Sequence, residues 1–220
     1  VRNCLGDQGV LYDSDHNIIN WCFFKLLVEL QEQHGLHAAT KIRRRHINYH
    51  KEKMKVKLAV QTFSDSVADA LLYCSQDLKL PAFQGAEATA LFCRQMNNLF
   101  DILNTRNALS TNSYKKPISK SNIICIKNYF QELRNYICGL QDINGTNILH
   151  TRRKTGFLGL LITMNSIENM VQDLVVNSDK LSYFLTYKVS QVHIEMFFSN
   201  IRSRGGFPIR NSILKVFNSF

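Results

Sequence analysis

Proline is nearly missing from this chain: Pro81, Pro117 and Pro208 are the only three in 220 residues. With so few breakers, and with apolar residues recurring mostly at three- and four-residue spacing, the sequence predicts a helical chain. Long apolar runs are also missing. Phe157 to Ile162, interrupted by glycine, is the longest candidate, and a bilayer-crossing helix needs about 18 such residues; the pattern argues against a membrane partner. Closely spaced cysteine pairs are absent too. Cys4, Cys22, Cys74, Cys93, Cys125 and Cys138 stand singly, which excludes the paired spacings of zinc and redox motifs. They read as reduced, buried thiols, with Cys22, Cys74 and Cys93 packed as small apolar groups among Phe, Leu and Ala. An intracellular compartment follows as the expectation. There is no glycine-rich phosphate loop of the usual spacing, no internal repeat and no low-complexity tract. The chain opens Val1-Arg2-Asn3-Cys4, without an initiator Met or a charged-then-apolar leader, and reads as a fragment or a cut domain.

Acidic residues are the remaining deficit, 17 against 27 Lys and Arg, giving a formal charge of +10. Most of the excess is local. Lys41, Arg43, Arg44, Arg45, Lys51, Lys53, Lys55 and Lys57 face Glu52 alone, and smaller clusters are Arg152, Arg153, Lys154 and Arg202, Arg204, Arg210. One such cluster is as well explained by a solvated helix face; three together point to polyanions, whether nucleic acid, nucleotide phosphates or an acidic surface.

The hydrophobic content of 45% suffices for a real core. Asp15 is expected to cap a helix with Ile18, Ile19, Cys22, Phe23, Leu26, Leu27 and Leu30 inward, ending near Gly35. A second helix is expected from Leu36 to about Lys57, a third opening at Ser64 and stopping before Pro81, and a long one from Gly85 to about Asn107. Residues 108–122, rich in Ser, Asn and Lys, read as a loop or boundary. A helix from Ile123 to Leu140, a turn at Asp142 to Gly145, a helix beyond Thr151, and a short helix from Asp179 to Tyr187 complete the pattern.

One acid stands apart. Leu185 to Gly206 embeds Glu195 in an aromatic helix, about Gln191 to Arg204, with Ser190 as cap and Gly205-Gly206 as stop. Ile194, Phe197, Phe198 and Ile201 make its apolar stripe, so Glu195 is expected beside buried surface, with Ser199 and Arg202 following it on an adjacent face. Two readings stand. In one, Glu195 pairs with Ser199 or Arg202 at the edge of the stripe; in the other it is functional and needs further acids, because one carboxylate is no metal site.

Four strings together resemble one family. They are Met54-Lys-Val-Lys-Leu-Ala-Val-Gln-Thr-Phe-Ser-Asp-Ser-Val-Ala-Asp-Ala-Leu71, Leu99-Phe-Asp-Ile-Leu-Asn-Thr-Arg-Asn107, Arg153-Lys-Thr-Gly-Phe-Leu-Gly159 and the segment around Glu195. In this order they look like the P element transposases and related THAP-domain transposases. The resemblance implies a mainly α fold: a helical GTP-binding insertion domain followed by the C-terminal helices of an RNase H-like transposase core. The implied limits are 1–118 for the insertion, 119–145 for a connecting helix and turn, 146–206 for the return to the core, and 207–220 for a divergent tail.

The implied function is that of a piece of a DNA transposase, with GTP as bound cofactor, DNA transposon ends as partner, a nuclear setting, and a homo-oligomer left open. Phe100, Asp101 and Asn104 carry guanine recognition by resemblance: an Asp accepts from the ring N–H and exocyclic amine, an aromatic ring stacks on the base, and an Asn fixes an edge or the ribose. Lys51 and Lys53 carry over more loosely for phosphate, and Val67 for a base contact. Without the resemblance, Phe100 and Asp101 read equally as a core aromatic beside a solvated acid. Glu195 matches the last of three carboxylates that hold two Mg²⁺ ions in the complete enzyme. The first two match nothing in these residues, so the chain alone is not expected to cut DNA. The family has an Asp three residues before this Glu, where Val192 stands here, and Phe207-Pro208-Ile209-Arg210 replaces an Asn-rich run. The alternative is a non-catalytic, domesticated or decayed basic helical module that binds nucleic acid or a protein partner.

Overall fold

A computed structural model describes residues 1–35, 40–178 and 180–205. The first helix, α1 (Arg2–Gln8), stops at Gly9, where φ is 83° and the N–H returns to the Leu5 carbonyl. Glycine adopts that left-handed turn without steric cost, and the chain folds straight into β1 (Val10–Tyr12), which pairs antiparallel with β2 (Ile18–Asn20). Asp13 builds the hairpin turn: Oδ1 accepts the Asp15 and Asn17 N–H groups and Oδ2 accepts from Asn17 Nδ2. The helix expected from Asp15 is therefore corrected. Ile18 and Ile19 are β-branched and sit in a strand, and α2 (Cys22–His34) begins only after Asn20 Oδ1 accepts the Cys22 N–H. It ends at Gly35, φ 64°, as expected.

The single helix expected from Leu36 to Lys57 is replaced by α3 (Arg44–Ile47), a 3₁₀ turn at Tyr49–Glu52 and α4 (Val56–Thr62). A continuous helix would stack like charges one turn apart. Breaking it turns Tyr49 inward, to 1% exposure and an edge contact with Trp21 at 5.5 Å, while Lys51, Lys53, Lys55 and Lys57 face solvent. Tyr49 fits because residue 6 has no side chain: a Cβ there would lie 2.2 Å from Tyr49 Oη. Gly6→Ala is accordingly expected to destabilise the chain by about 1–3 kcal/mol through overpacking. Urea unfolding measures it, and an unchanged midpoint would contradict this packing.

After Ser64 comes α5 (Asp65–Leu72), which runs on as a π turn to Asp77, before Pro81. The long α6 (Glu87–Leu103) packs against it. The loop that follows ends in β3 (Ile118–Ser119), and α7 (Ile123–Gly139) and α8 (Thr155–Val171) come next. Where a short helix was expected near Tyr187, the chain instead forms β4 (Tyr183–Phe184), paired antiparallel with β3, and a 3₁₀ turn at Thr186–Val189. Strand pairing satisfies the backbone polar groups of this stretch against the residues just before α7. The last described element is α9 (Val192–Gly205), close to the span expected. Leu36 to Ala39, Asp179, the Gly206 stop and the tail 207–220 with Arg210 lie outside the described residues.

One continuous core runs from Cys4 to Phe184 and takes in residues of α1, the first hairpin, α2 and α5 through α8, with Ile42, Tyr49 and Phe63 from the segments between α2 and α5. Phe92 sits within it at 0% exposure, edge-on to Phe63 at 5.4 Å and 6.5 Å from Tyr136 on α7. The uniform burial expected for the cysteines is corrected: Cys4, Cys74 and Cys93 are buried, whereas Cys22, Cys125 and Cys138 are exposed. In α2 the inward phase is set by Phe23, Phe24, Leu27 and Val28, which turns Cys22 outward.

Candidate nucleotide site at the C-terminal end of α6

Asn97 and Asp101 stand one turn apart on α6, so their side chains share a face. Asn97 Nδ2 donates to Asp101 Oδ2 at 3.2 Å and to Asp65 Oδ2, from the first turn of α5, at 3.0 Å. Lys115 Nζ, from the loop after α6, lies 3.3 Å from Asp101 Oδ2, and the Asp101 side chain is only 16% exposed. Burial, followed by the charges of Asp101 and Asp69, pushes the Asp65 carboxyl above its ordinary value; Arg94 and Lys115 oppose this. Arg94 also pairs with Asp69 at 2.6 Å. Phe100, the residue before Asp101 on α6, is half-buried. Asn104 ends the helix, its N–H reaching the Asp101 carbonyl at 3.4 Å, and its Oδ1 accepts from the Arg106 guanidinium at 3.4 Å.

The same helix end is tied to the segment that leads into α9. The Thr105 N–H donates to Thr186 Oγ1 at 3.0 Å, Thr186 Oγ1 donates to the Ile102 carbonyl at 2.5 Å, and the Tyr187 N–H reaches the Thr105 carbonyl at 3.2 Å. Arg106 lies 3.9 Å over the Tyr187 ring, a cation–π contact, and the His193 ring is 4.7 Å from the same ring. Thus Asp101 and Asn104 are brought close to the start of the helix that carries Glu195, although the two strings are some 80 residues apart in the chain. Thr105, Arg106, Thr186 and Tyr187 all lie inside those strings, but nothing in their spacing indicates that they meet.

Glu195 is exposed in the first turn of α9. The buried stripe expected beside it is corrected: Ile194, Phe197 and Phe198 are 58%, 58% and 49% exposed. Its expected pairing with Ser199 or Arg202 is also not found, since none of the hydrogen bonds or ion pairs of the described residues engages the Glu195 carboxylate. Helical spacing gave the stripe, but among the described residues no neighbouring element covers it.

The other expected ligand residues are elsewhere. Lys51 is exposed, and Lys53 Nζ lies 3.8 Å from Asp7 Oδ2; no contact of the described residues links either lysine to Phe100, Asp101 or Asn104. Val67, expected as a base contact, faces the core at 0% exposure with Ala68 and Leu71. A groove of about 700 Å³ opens between the first hairpin and the start of α6, near Asn17, Ile18, Glu87 and Leu91. Fourteen residues of helix, about 21 Å, separate Glu87 from Asp101, so this groove is not the Asp101 site.

Asp7 is a junction of its own. Its carboxylate accepts from Tyr49 Oη at 2.8 Å and from Arg153 just before α8, with Lys53 at 3.8 Å and His50 at 4.0 Å. Burial is the largest single influence and pushes the carboxyl up, but Arg153, Tyr49 and Lys53 together outweigh it and hold the group below its ordinary value. A depressed carboxyl contributes stability that is present above the unfolded value, about pH 4, and lost as pH falls through the folded one. Asp7→Asn is therefore expected to lower the unfolding temperature at pH 7 and to reduce its loss between pH 5 and pH 3. Parallel pH profiles for the two proteins would contradict the assignment.

Among the described residues, no three His, Cys, Asp or Glu side chains converge on a point where a metal ion would sit. Glu195 alone does not fit a two-ion site. The Asp101 group does fit a guanine base: one half-buried carboxylate whose Oδ1 takes no hydrogen bond from the described residues, an aromatic neighbour at Phe100 and an amide at Asn104.

The family model described as "TNP-like, GTP-binding insertion domain" matches residues 1–117, and that of the "TNP-like, RNase H C-terminal domain" matches residues 187–210. The chain is 35% identical over 188 residues to DNA transposase THAP9 of Homo sapiens, covering 85% of this chain and 20% of that protein. It is 31% identical over 223 residues to the Transposable element P transposase of Drosophila melanogaster, covering 94% of this chain and 26% of that protein. It therefore spans about a fifth to a quarter of the length of these relatives. Its fold is similar to that in the Drosophila P element transposase strand transfer complex, with a TM-score of 0.74 at 26% identity over 93% of this chain and 44% of that one. A mainly helical fold carrying the end of an RNase H-like core, with the family's insertion domain over more than half its length, means that this chain belongs to the P element-like transposase family defined by the TNP-like GTP-binding insertion domain.

Proposed function

We propose that this chain binds GTP at the C-terminal end of α6 and works as part of a P element-like DNA transposase. The observation that carries the reading is the half-buried Asp101, held on one oxygen by Asn97 and Lys115 with the other oxygen open. A carboxylate that accepts both the N1–H and the exocyclic amine of guanine rejects adenine, which offers a bare ring nitrogen and no amine at those positions. Phe100 supplies a stacking face and Asn104 an amide for the base edge or the ribose.

In this reading residues 1–118 are the insertion, 119–145 the connection, 146–206 the return to the RNase H-like core and 207–220 a divergent tail. DNA transposon ends are the polyanionic partner, in the nucleus, and the exposed Lys51 and Lys57 are available for phosphates. Glu195, exposed and without an ion-pair partner among the described residues, contributes one carboxylate to a Mg²⁺-dependent DNA cleavage and strand-transfer site whose other acids come from outside these residues. No helix among the described residues is long and apolar enough to cross a membrane.

Calorimetric titration of the folded chain tests the reading. GTP is expected to bind at least tenfold more tightly than ATP, and a folded chain that binds neither, or both equally, would refute it.

A further inference from the structure

The side-chain amide of Asn97 has two N–H donors, and the structure uses it twice. It bridges Asp65 Oδ2 on α5 and Asp101 Oδ2 on α6, at 3.0 and 3.2 Å. Two carboxylates brought together without such a bridge repel each other and rotate apart. Asp65 is the acid that burial and the neighbouring charges disfavour, so the bridge is made against an electrostatic cost. Lys115 Nζ meets the same Asp101 oxygen at 3.3 Å from an exposed loop. Both donors are on Oδ2, and among the described residues none is on Oδ1.

We propose that Asn97 is a positioning residue for base recognition: by holding Asp101 Oδ2 from one helical turn away, it sets the plane of the carboxylate that faces guanine. The inference rests on the GTP reading above and goes one step further, to what aims the acid. Asn97 itself touches no base; it acts through Asp101. A carboxylate oxygen has two lone pairs, so Oδ2 keeps its Asn97 hydrogen bond while taking one from guanine and Oδ1 takes the other. Lys115, on a flexible side chain half exposed to solvent, is the partner that yields its place. Asn97 lies within a helix and is held on its other side by Asp65, so it stays.

The test compares GTP with ITP, which lacks the exocyclic amine, because the ratio of their affinities reports how well the carboxylate meets both donors. For the full wild-type chain, calorimetry is expected to give a GTP:ITP ratio of roughly ten. Asn97→Ala is expected to weaken GTP roughly tenfold and bring the ratio close to one, with the circular dichroism spectrum unchanged. If the ratio stays at the wild-type value, the inference is overturned even if both affinities fall together, since equal loss is what packing damage alone produces. A wild-type ratio near one also overturns it. A wild-type chain that binds neither nucleotide overturns the parent reading, and this inference with it. Should Asn97→Ala not fold, Asn97→Leu keeps the side-chain volume without the donors and is held to the same ratio.

Discussion

Asp101→Ala is expected to lower GTP affinity about a hundredfold while leaving the fold intact. Two hydrogen bonds to a charged acceptor in a half-buried site contribute together about 3 kcal/mol, which is about two orders of magnitude in the dissociation constant. The fold survives because Asp101 lies at the end of α6 with its side chain outside the core, and because Asn97 and Lys115, which lose a partner, are both within reach of water. The ion pair with Lys115 involves a half-exposed ammonium, so its own stabilising effect is small. Calorimetry gives the affinity and thermal unfolding the control. A variant that still binds GTP within twofold of the wild type, with an unchanged unfolding temperature, would mean that the base is read elsewhere.

Phe92→Ala is expected to have the largest effect on stability. Phe92 is fully buried and touches aromatic residues from two other parts of the chain, Phe63 before α5 and Tyr136 on α7. Truncating such a ring costs about 3–5 kcal/mol through lost transfer energy and the cavity left behind, to which the edge-on pair adds about 0.5–1.5 kcal/mol. Against a total stability of about 5–15 kcal/mol, that is enough to lower the unfolding temperature by about 10 °C or more. Phe92→Leu keeps most of the volume and is expected to lose less than half as much. A drop of under about 3 °C for the alanine variant would mean that α6 and α7 are not joined through this ring.

Where the sequence was legible, the reason was local. A helix writes its buried face at three- and four-residue spacing, and in α6, α7 and α8 the residues that recur in this way, among them Phe92, Leu99, Phe130, Met164 and Ile167, are buried. Gly35 stops α2 by a backbone conformation that glycine favours, again a property of one residue. The hairpin at Val10 to Asn20 was misread because its strands are three residues long, too short for alternation to show, and because Ile18 and Ile19 fit a helical stripe as well as a strand. The break at Tyr49 was misread because its cause is distant: the space opposite Gly6, some forty residues earlier. In α9 the stripe was legible and its burial was not, since burial requires a surface to pack on.

The sequence by itself determined the helical class, the concentration of positive charge between Lys41 and Lys57, and the four strings that relate the chain to the P element-like transposases. These follow from composition, from helical period and from motif identity, all of which are properties of neighbouring residues. Tertiary structure alone decided which polar groups meet: Asn97 with Asp65 across 32 positions, Arg153 with Asp7 across 146, and Thr105 with Thr186 across 81. Such contacts are set by how whole helices pack on a shared core, and that packing leaves no periodic trace in the residues that come to touch.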